Sequence, residues 1–180
     1  METLDNGPLA AAFGTPISAG SVFTGIFNSD NINPSDPEAA IDFGTPFSGR
    51  PVQMQLKYSY TPADENKDKD GNILPDSDQC DIYALLEIRT SSSTARLATA
   101  WFRSPDTQSD LLTITIPFTY GPLDPGSPDY MYPEDGGFVS PDSAAFVLPS
   151  HITLVATSSW DGANFAGAIG SNLIIDDVEF

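Results

Sequence analysis

The sequence predicts an all-β fold, an antiparallel β-sandwich of the jelly-roll type, in one domain over residues 1–180. Apolar and polar residues alternate with a period of two in several segments, and stripes with the helical period are nearly absent. The 16 prolines and 14 glycines divide the chain into short pieces, as turn-rich β proteins require. A chain of this length can bury a two-layer core.

The clearest alternation runs over residues 52–60, where one face is apolar and polar residues occupy the other. The apolar face consists of Val52, Met54, Leu56, Tyr58 and Tyr60. The same reasoning predicts six further strands, at residues 21–27, 80–89, 95–103, 111–118, 152–157 and 173–180. One short helical turn is predicted over 34–40. Two long connections, 61–79 and 121–150, are candidates for function because long loops in compact domains often carry it.

The charge balance limits the partners. The chain has 25 acidic and 7 basic residues and a formal net charge of −18. Such an anion repels phosphate backbones and anionic lipids, so we expect no nucleic-acid partner. No apolar run is long enough for membrane insertion. Residues 1–20 contain no signal peptide, so an exported protein would carry its leader outside this chain.

Little in the sequence suggests catalysis. The single cysteine, Cys80, and the single histidine, His151, have no second residue of their type to form a disulfide or a zinc site. The chain has no Gly-x-Ser-x-Gly motif and no phosphate-binding glycine loop. Abundant carboxylates could supply a glycosidase pair, but abundance alone is weak evidence. We therefore predict that the chain is not an enzyme, and that it needs no cofactor beyond a possible structural calcium ion.

Residues 66–73 resemble the start of a calcium loop. Oxygen-bearing side chains, including Asp68 and Asp70, fall at alternate positions before Gly71. Ser77 stands where a bidentate glutamate would be expected. The alternative is a solvated hairpin loop in which Asp and Gly are turn residues.

Asp176 is a second candidate calcium ligand. By alternation it shares a face with Ile174, Val178 and Phe180, which we expect to be buried. A carboxylate on a buried face needs a cation or several hydrogen-bond donors. Either a structural calcium ion or a cluster of backbone N–H groups would satisfy it.

Aromatic side chains in loops are candidates for sugar binding, because the C–H face of a sugar packs on a flat ring. Trp160 follows a predicted strand, with Asp161 beside it, and Tyr130 and Tyr132 lie in the 121–150 connection. Each of these rings could instead pack within the protein. Arg50, just before the clearest strand, could contact a ligand or pair with an acidic residue.

Trp101 lies within a predicted strand, and we expect it in the core.

Several stretches together resemble a known family. They are residues 20–25, 43–51, 56–60, 80–84 and 158–177, and in the last of these Phe165, Gly167, Gly170, Ser171 and Leu173 stand at the family's spacing. In this order they resemble the putative carbohydrate metabolism domain (PCMD) family of Gram-negative gut anaerobes, from about residue 19 to the C-terminus. The resemblance implies a galactose-binding-like, carbohydrate-binding jelly roll. Trp160 departs from the family, because small or polar residues are common at its position.

The resemblance also implies a setting. Family members are typically the C-terminal part of exported, often lipid-anchored proteins and follow an immunoglobulin-like domain. We therefore expect the C-terminal module of a longer protein at the outer-membrane surface or in the periplasm, anchored through a segment outside this chain. The predicted function is non-catalytic binding of a glycan or oligosaccharide. The partner could also be an N-terminal domain or a surface complex.

Two alternatives remain. One is a structural or adhesion β-sandwich domain of a surface lipoprotein, with exposed apolar area in the 121–150 connection. The other is a glycoside hydrolase, which would need two carboxyl groups in one cleft at a catalytic separation.

Overall fold

The protein is described by a computed structural model at residues 1–33, 37–124, 126–127, 131–133 and 137–180. It is an antiparallel β-sandwich, so the predicted fold class is confirmed. Numbered in chain order, the strands of these residues are β1 Leu4–Asp5, β2 Ile17–Ser18, β3 Ser21–Phe23, β4 Gly25–Phe27, β5 Ile41–Phe43, β6 Thr45–Pro46, β7 Gln53–Thr61, β8 Asn66–Lys67, β9 Cys80–Arg89, β10 Thr94–Ser104, β11 Gln108–Pro117, β12 Thr119–Tyr120, β13 His151–Thr157, β14 Gly167–Ala168 and β15 Asn172–Glu179.

Helical structure in the described residues is short. The α-helices are α1 Gly7–Ala12 and α2 Pro141–Ala144, and the 3₁₀ helices are Ser29–Asn31, Pro37–Ala40 and Gly162–Asn164. The second of these 3₁₀ helices lies within the turn predicted over 34–40. No helix in the described part of the chain is long and apolar enough to span a bilayer.

Two sheets form the layers. The larger sheet has the strand order β12-β10-β9-β13-β3, and β6 also pairs with β13. The smaller sheet has the order β11-β7-β15. The ribbons β1-β2, β4-β5 and β8-β14 lie outside them. The pairing partners within both sheets are antiparallel throughout.

The core lies between the two sheets. The predicted inward faces of β7 and β9 are confirmed, and their fully buried residues include Met54, Leu56, Tyr60, Cys80, Ile82, Ala84 and Leu86. Because side chains alternate along a strand, the residues of β9 between these point to the opposite, outer face of the larger sheet.

A bulge in β15 overturns the prediction for Asp176. The register against β7 shifts between Asp176 and Glu179, and Asp177 adopts a left-handed conformation with φ 51°. The core-facing residues therefore change phase across the bulge, and they are Leu173, Ile175 and Val178. Asp176 and Ile174 face solvent, with Ile174 51% exposed, so the expectation of a buried Asp176 is wrong.

The predicted strand over 21–27 is two strands. Gly25 has φ 152° and lies against the backbone of Asp42, and the chain leaves the larger sheet there to pair as β4 with β5. This ribbon extends from the larger sheet next to β3. It forms one wall of the cleft described below.

Candidate functional site

A cleft of about 820 Å³ opens on the outer face of the larger sheet. Its floor consists of residues from β3, β9 and β13, and its walls come from the β4-β5 ribbon, the β2-β3 connection and the segment after β13. Three residues predicted to bind sugar, Trp160, Asp161 and Tyr132, line it. The fold thus brings together positions that lie far apart in the sequence.

Two parallel rows of side chains cross the floor. One row is apolar, with Tyr83 opposite Val155 and Val155 opposite Phe23. The next row is polar, and its members are Asp81, Thr157 and Ser21. Residues two apart on a strand share a face, so the two rows lie side by side.

The polar row is internally hydrogen-bonded. The Ser21 hydroxyl donates to Oγ1 of Thr157 over 2.9 Å, and the Thr157 hydroxyl donates to the Ser159 carbonyl over 3.1 Å. Ser21 is exposed and can also accept hydrogen bonds from a ligand. The floor therefore places hydroxyl groups next to an apolar strip.

The wall formed by β5 adds a second aromatic ring to the apolar row. The rings of Phe23 and Phe43 lie edge to face, with centroids 5.5 Å apart. The Gly44 N–H donates to the Thr24 carbonyl over 2.7 Å and ties the end of the ribbon to β3. Edge-to-face packing of this kind fixes the orientation of both rings.

The opposite wall is the turn that carries Trp160. The backbone N–H of Trp160 donates to the Gln79 carbonyl over 2.9 Å, and the 3₁₀ helix Gly162–Asn164 follows. The turn lies so close to the β2-β3 connection that a Cβ atom on Gly162 would be 2.3 Å from Cβ of Ala19. Asp161 accepts a 2.7 Å hydrogen bond from Nδ2 of Asn164. These contacts fix the position of the turn that carries the Trp160 ring.

An ion pair supports this wall. Arg103 donates from Nη2 to Oδ2 of Asp81 over 3.1 Å, and its guanidinium carbon lies 4.1 Å from the centroid of the Trp160 ring. The indole Nε1 of Trp101 donates to Oδ1 of Asp81 over 2.7 Å. Trp101 is only partly buried and lies on the outer face, so the expectation that it belongs to the core is wrong. The reason is its register opposite Tyr83.

The 121–150 connection contributes Tyr132 to the cleft. Its ring lies edge to face with that of Phe138, at a centroid distance of 5.7 Å, and its hydroxyl donates to the Asp124 carbonyl over 3.1 Å. Tyr130, the other candidate of this connection, lies outside the described residues.

Arg50 is placed elsewhere and does not line the cleft. Its guanidinium donates to the carbonyls of Val147 and Ala144 over 2.8 and 2.6 Å and lies 3.9 Å from the centroid of the Tyr120 ring. These contacts use Arg50 to hold the segment after α2 against the sandwich. The expectation of an acidic partner is replaced by carbonyl oxygens.

The candidate calcium loop closes on itself. The carboxylate of Asp68 accepts hydrogen bonds from the backbone N–H groups of Asp70 and Asn72 and from Nδ2 of Asn72, at 2.8–2.9 Å. These bonds, led by the Asn72 side chain, lower the pKa of Asp68. Gly71 has φ 84°, as a tight turn requires. This arrangement matches the hairpin alternative.

Asp176, the other calcium candidate, accepts a 2.9 Å hydrogen bond from the Asp177 N–H. Among the described residues, no group of three or more His, Cys, Asp or Glu side chains could hold a metal ion.

Sequence reasoning missed part of the site, namely Phe23, Phe43, Asp81, Tyr83 and Arg103. One signal was available for two of them. Asp81 and Tyr83 alternate with the core residues Cys80, Ile82 and Ala84, and a half-buried aromatic on the outer face of a central strand is a candidate for contact with a ligand. Which strand lies beside β9 could not be read from that pattern.

The comparisons with known proteins identify the family. Residues 1–114 match the family described as the putative carbohydrate metabolism domain. The chain belongs to this family. The resemblance predicted from the sequence is therefore confirmed.

Two solved structures are similar to this chain. One is described as a putative glycoside hydrolase from Bacteroides thetaiotaomicron VPI-5482, with 27% identity and a TM-score of 0.78. The other is described as a putative glycoside hydrolase from Bacteroides vulgatus ATCC 8482, with 26% identity and a TM-score of 0.76. Each match covers 99% of this chain, but this chain spans only 51% of the first protein and 70% of the second. No curated protein matches.

Proposed function

We propose that this chain is a non-catalytic carbohydrate-binding module and that the cleft on the larger sheet binds the glycan. The observation that carries the proposal is the pair of rows on the floor, in which an apolar strip with Tyr83 and Phe23 lies beside the hydroxyls of Thr157 and Ser21. A pyranose ring has the same two-sided character, with C–H groups that pack on aromatic rings and hydroxyls that need polar partners.

The size and shape of the cleft support an oligosaccharide. Neighbouring strands lie about 4.8 Å apart, so three strands and the ribbon beside them give a floor of roughly 10–15 Å. A volume of about 820 Å³ is within the range of small-molecule sites. Trp160, 37% exposed at the rim, leaves ring surface for a sugar. Family membership and two similar structures described as putative glycoside hydrolases support a carbohydrate ligand.

The bonding of Asp81 favours binding over catalysis. Its two oxygens accept hydrogen bonds from Trp101 and Arg103, and its side chain is 3% exposed. These contacts use the Asp81 carboxylate to hold Trp101 and Arg103 in place. Asp161, the other described carboxylate of the lining, lies on the wall.

The binding test is affinity electrophoresis through gels containing plant, mucin and host glycans, followed by calorimetry on each glycan that retards the protein. Trp160→Ala and Tyr83→Ala should each weaken binding by about ten-fold or more, because a stacked ring contributes about 1–3 kcal/mol at the centre of a site. Phe146→Ala is the matched control, since this aromatic side chain is 85% exposed and outside the cleft. An absence of retardation by every glycan would overturn the proposal.

A glycoside hydrolase is the second candidate. It is favoured by the descriptions of the two similar structures and by the presence of Asp81 and Asp161 in one cleft. Release of reducing ends from a retained glycan, abolished by Asp161→Asn with binding preserved, would establish it. Binding without release over an extended incubation would support the non-catalytic proposal.

An adhesion role is the third candidate, and exposed apolar side chains after α2 favour it. Phe146 is 85% exposed and Leu148 is 58% exposed. If the chain has this role, Phe146→Ala abolishes its binding to a surface complex and Trp160→Ala does not. The pair of variants therefore separates this candidate from glycan binding.

We also propose that the module acts at the cell surface or in the periplasm as part of a longer protein. The lengths of the two solved relatives support the longer protein, because this chain spans about half of one and 70% of the other. Cell fractionation with an antibody against residues 1–180 tests it. A purely cytoplasmic signal would contradict it.

A further inference from the structure

We infer that the cleft selects uncharged glycans and rejects carboxylated and sulfated ones. This inference rests on the proposed function and adds the chemical class of the ligand. Its basis is a census of positive charge. The sequence has seven lysine and arginine residues, and all seven lie in the part of the chain that the structure describes.

Five of these cations are bonded to groups outside the described lining of the cleft. Arg50 is bonded to two carbonyls, and Arg89 and Arg96 flank Glu87. The lysines lie in the smaller sheet, in β8 and in the turn after β8. Lys57 pairs with Asp177 over 2.5 Å, Lys67 pairs with Glu65 over 2.6 Å, and Lys69 lies in the turn closed by Asp68. Within the described lining of the cleft there is no lysine, arginine or histidine.

Arg103 contacts two lining residues of the cleft, and its charge is already compensated. Two of its nitrogens bond the carboxylate of Asp81 at 3.1 and 3.4 Å, and the ring of Trp160 covers a face of the guanidinium. Asp161 then adds a negative charge to the lining, and its carboxylate accepts a hydrogen bond from the neutral amide of Asn164. The described cleft therefore carries a net negative charge.

An anionic sugar would meet two costs there. Its carboxylate or sulfate would lose water without gaining a cation, and a partly buried charge without a partner is unfavourable. It would also approach a molecule with a net charge of −18, whose field lowers the rate of encounter with anions. A neutral sugar meets neither cost and can donate hydrogen bonds to Asp161 and to the Ser21 hydroxyl oxygen.

The test uses pairs of glycans that differ only in charge. Suitable pairs are galacturonan with its fully methyl-esterified form, sialylated with desialylated mucin glycans, and sulfated with desulfated galactans. Dissociation constants are measured at low and at physiological salt. We expect the neutral member of a pair to bind about ten-fold more tightly, with a smaller difference at the higher salt concentration.

Two charge reversals locate the effect. Asp161→Lys should raise the affinity for the anionic member by about ten-fold or more, because it places a cation in the lining. Asp110→Lys makes the same change in net charge at an exposed position outside the cleft and should leave the preference unchanged.

The outcomes separate the inference from the function it rests on. Equal or tighter binding of the anionic members, lost in Trp160→Ala, would overturn the inference and leave glycan binding in place. An unchanged preference in Asp161→Lys would also overturn it. Failure of both members of every pair to bind would overturn the inference and the proposed function together.

Discussion

The guanidinium of Arg103 lies 4.1 Å from the centre of the Trp160 ring while two of its nitrogens bond Asp81. Asp81 on β9 lies opposite Arg103 on β10, and Trp160 lies in the turn after β13. The contact therefore joins a charge pair on the sheet to the wall of the cleft. It gives Trp160 a fixed position without burying it.

Arg103→Ala should destabilise the protein by about 3–5 kcal/mol, because it leaves the buried Asp81 carboxylate without its cation. Arg103→Lys keeps a charge but loses the flat guanidinium, so we expect a smaller loss of stability together with weaker glycan binding. Urea denaturation and calorimetry measure the two effects. A loss below about 1 kcal/mol in Arg103→Ala would show that the pair is not buried in solution.

Gly162→Ala should displace the wall that carries Trp160. The new Cβ would stand 2.3 Å from Cβ of Ala19, and overpacking of this kind costs about 1–3 kcal/mol. The double variant Ala19→Gly/Gly162→Ala removes the clash and should recover most of the stability and binding. Thermal melts and glycan affinity of the two variants and of the unsubstituted protein check this. No recovery in the double variant would mean that Gly162 matters for another reason.

Asp78→Ala should cost about 2–4 kcal/mol, because it leaves three donors, two of them buried, without an acceptor. The Asp78 carboxylate, 1% exposed, accepts from the Ser159 hydroxyl over 2.5 Å and from the N–H groups of Gln79 and Ala168 over 2.8 and 2.9 Å. Asp76→Ala is the matched control, because this residue is exposed and should change stability by less than about 0.5 kcal/mol. Equal effects of the two substitutions would contradict the role given to Asp78.

Cys80 should resist thiol reagents in the folded protein. Burial raises the pKa of its thiol to about 12, so almost no thiolate forms at pH 8. The raised pKa stabilises the folded state below the ordinary thiol value of about 9, and that stability is lost as the pH rises from there to about 12. Labelling rates, and denaturation curves against pH compared with Cys80→Ala, measure this. Rapid labelling of the native protein would contradict it.

Much of the fold could be predicted because alternating apolar and polar residues show which face of a strand is buried. The predicted strand over 80–89 has the observed bounds, and the strands over 52–60, 95–103 and 152–157 each differ by one residue at an end or at both. The short ribbons could not be predicted in this way, since two or three residues contain too little of a period. The bulge near Asp177 could not be predicted either, because an inserted residue reverses the faces on which the following side chains lie without changing the composition.

The sequence by itself determined the sandwich, the inward faces of its long strands, the family resemblance, and Trp160, Asp161 and Tyr132 as candidates. Only the tertiary structure decided that these three meet Tyr83 and Phe23 in one cleft, that Trp101 faces outward, and that Arg50 holds a loop. The reason is physical. Burial of one face follows from the local pattern of each strand, whereas the neighbour of a strand can come from a distant part of the sequence, as in the pairing of Tyr83 with Val155.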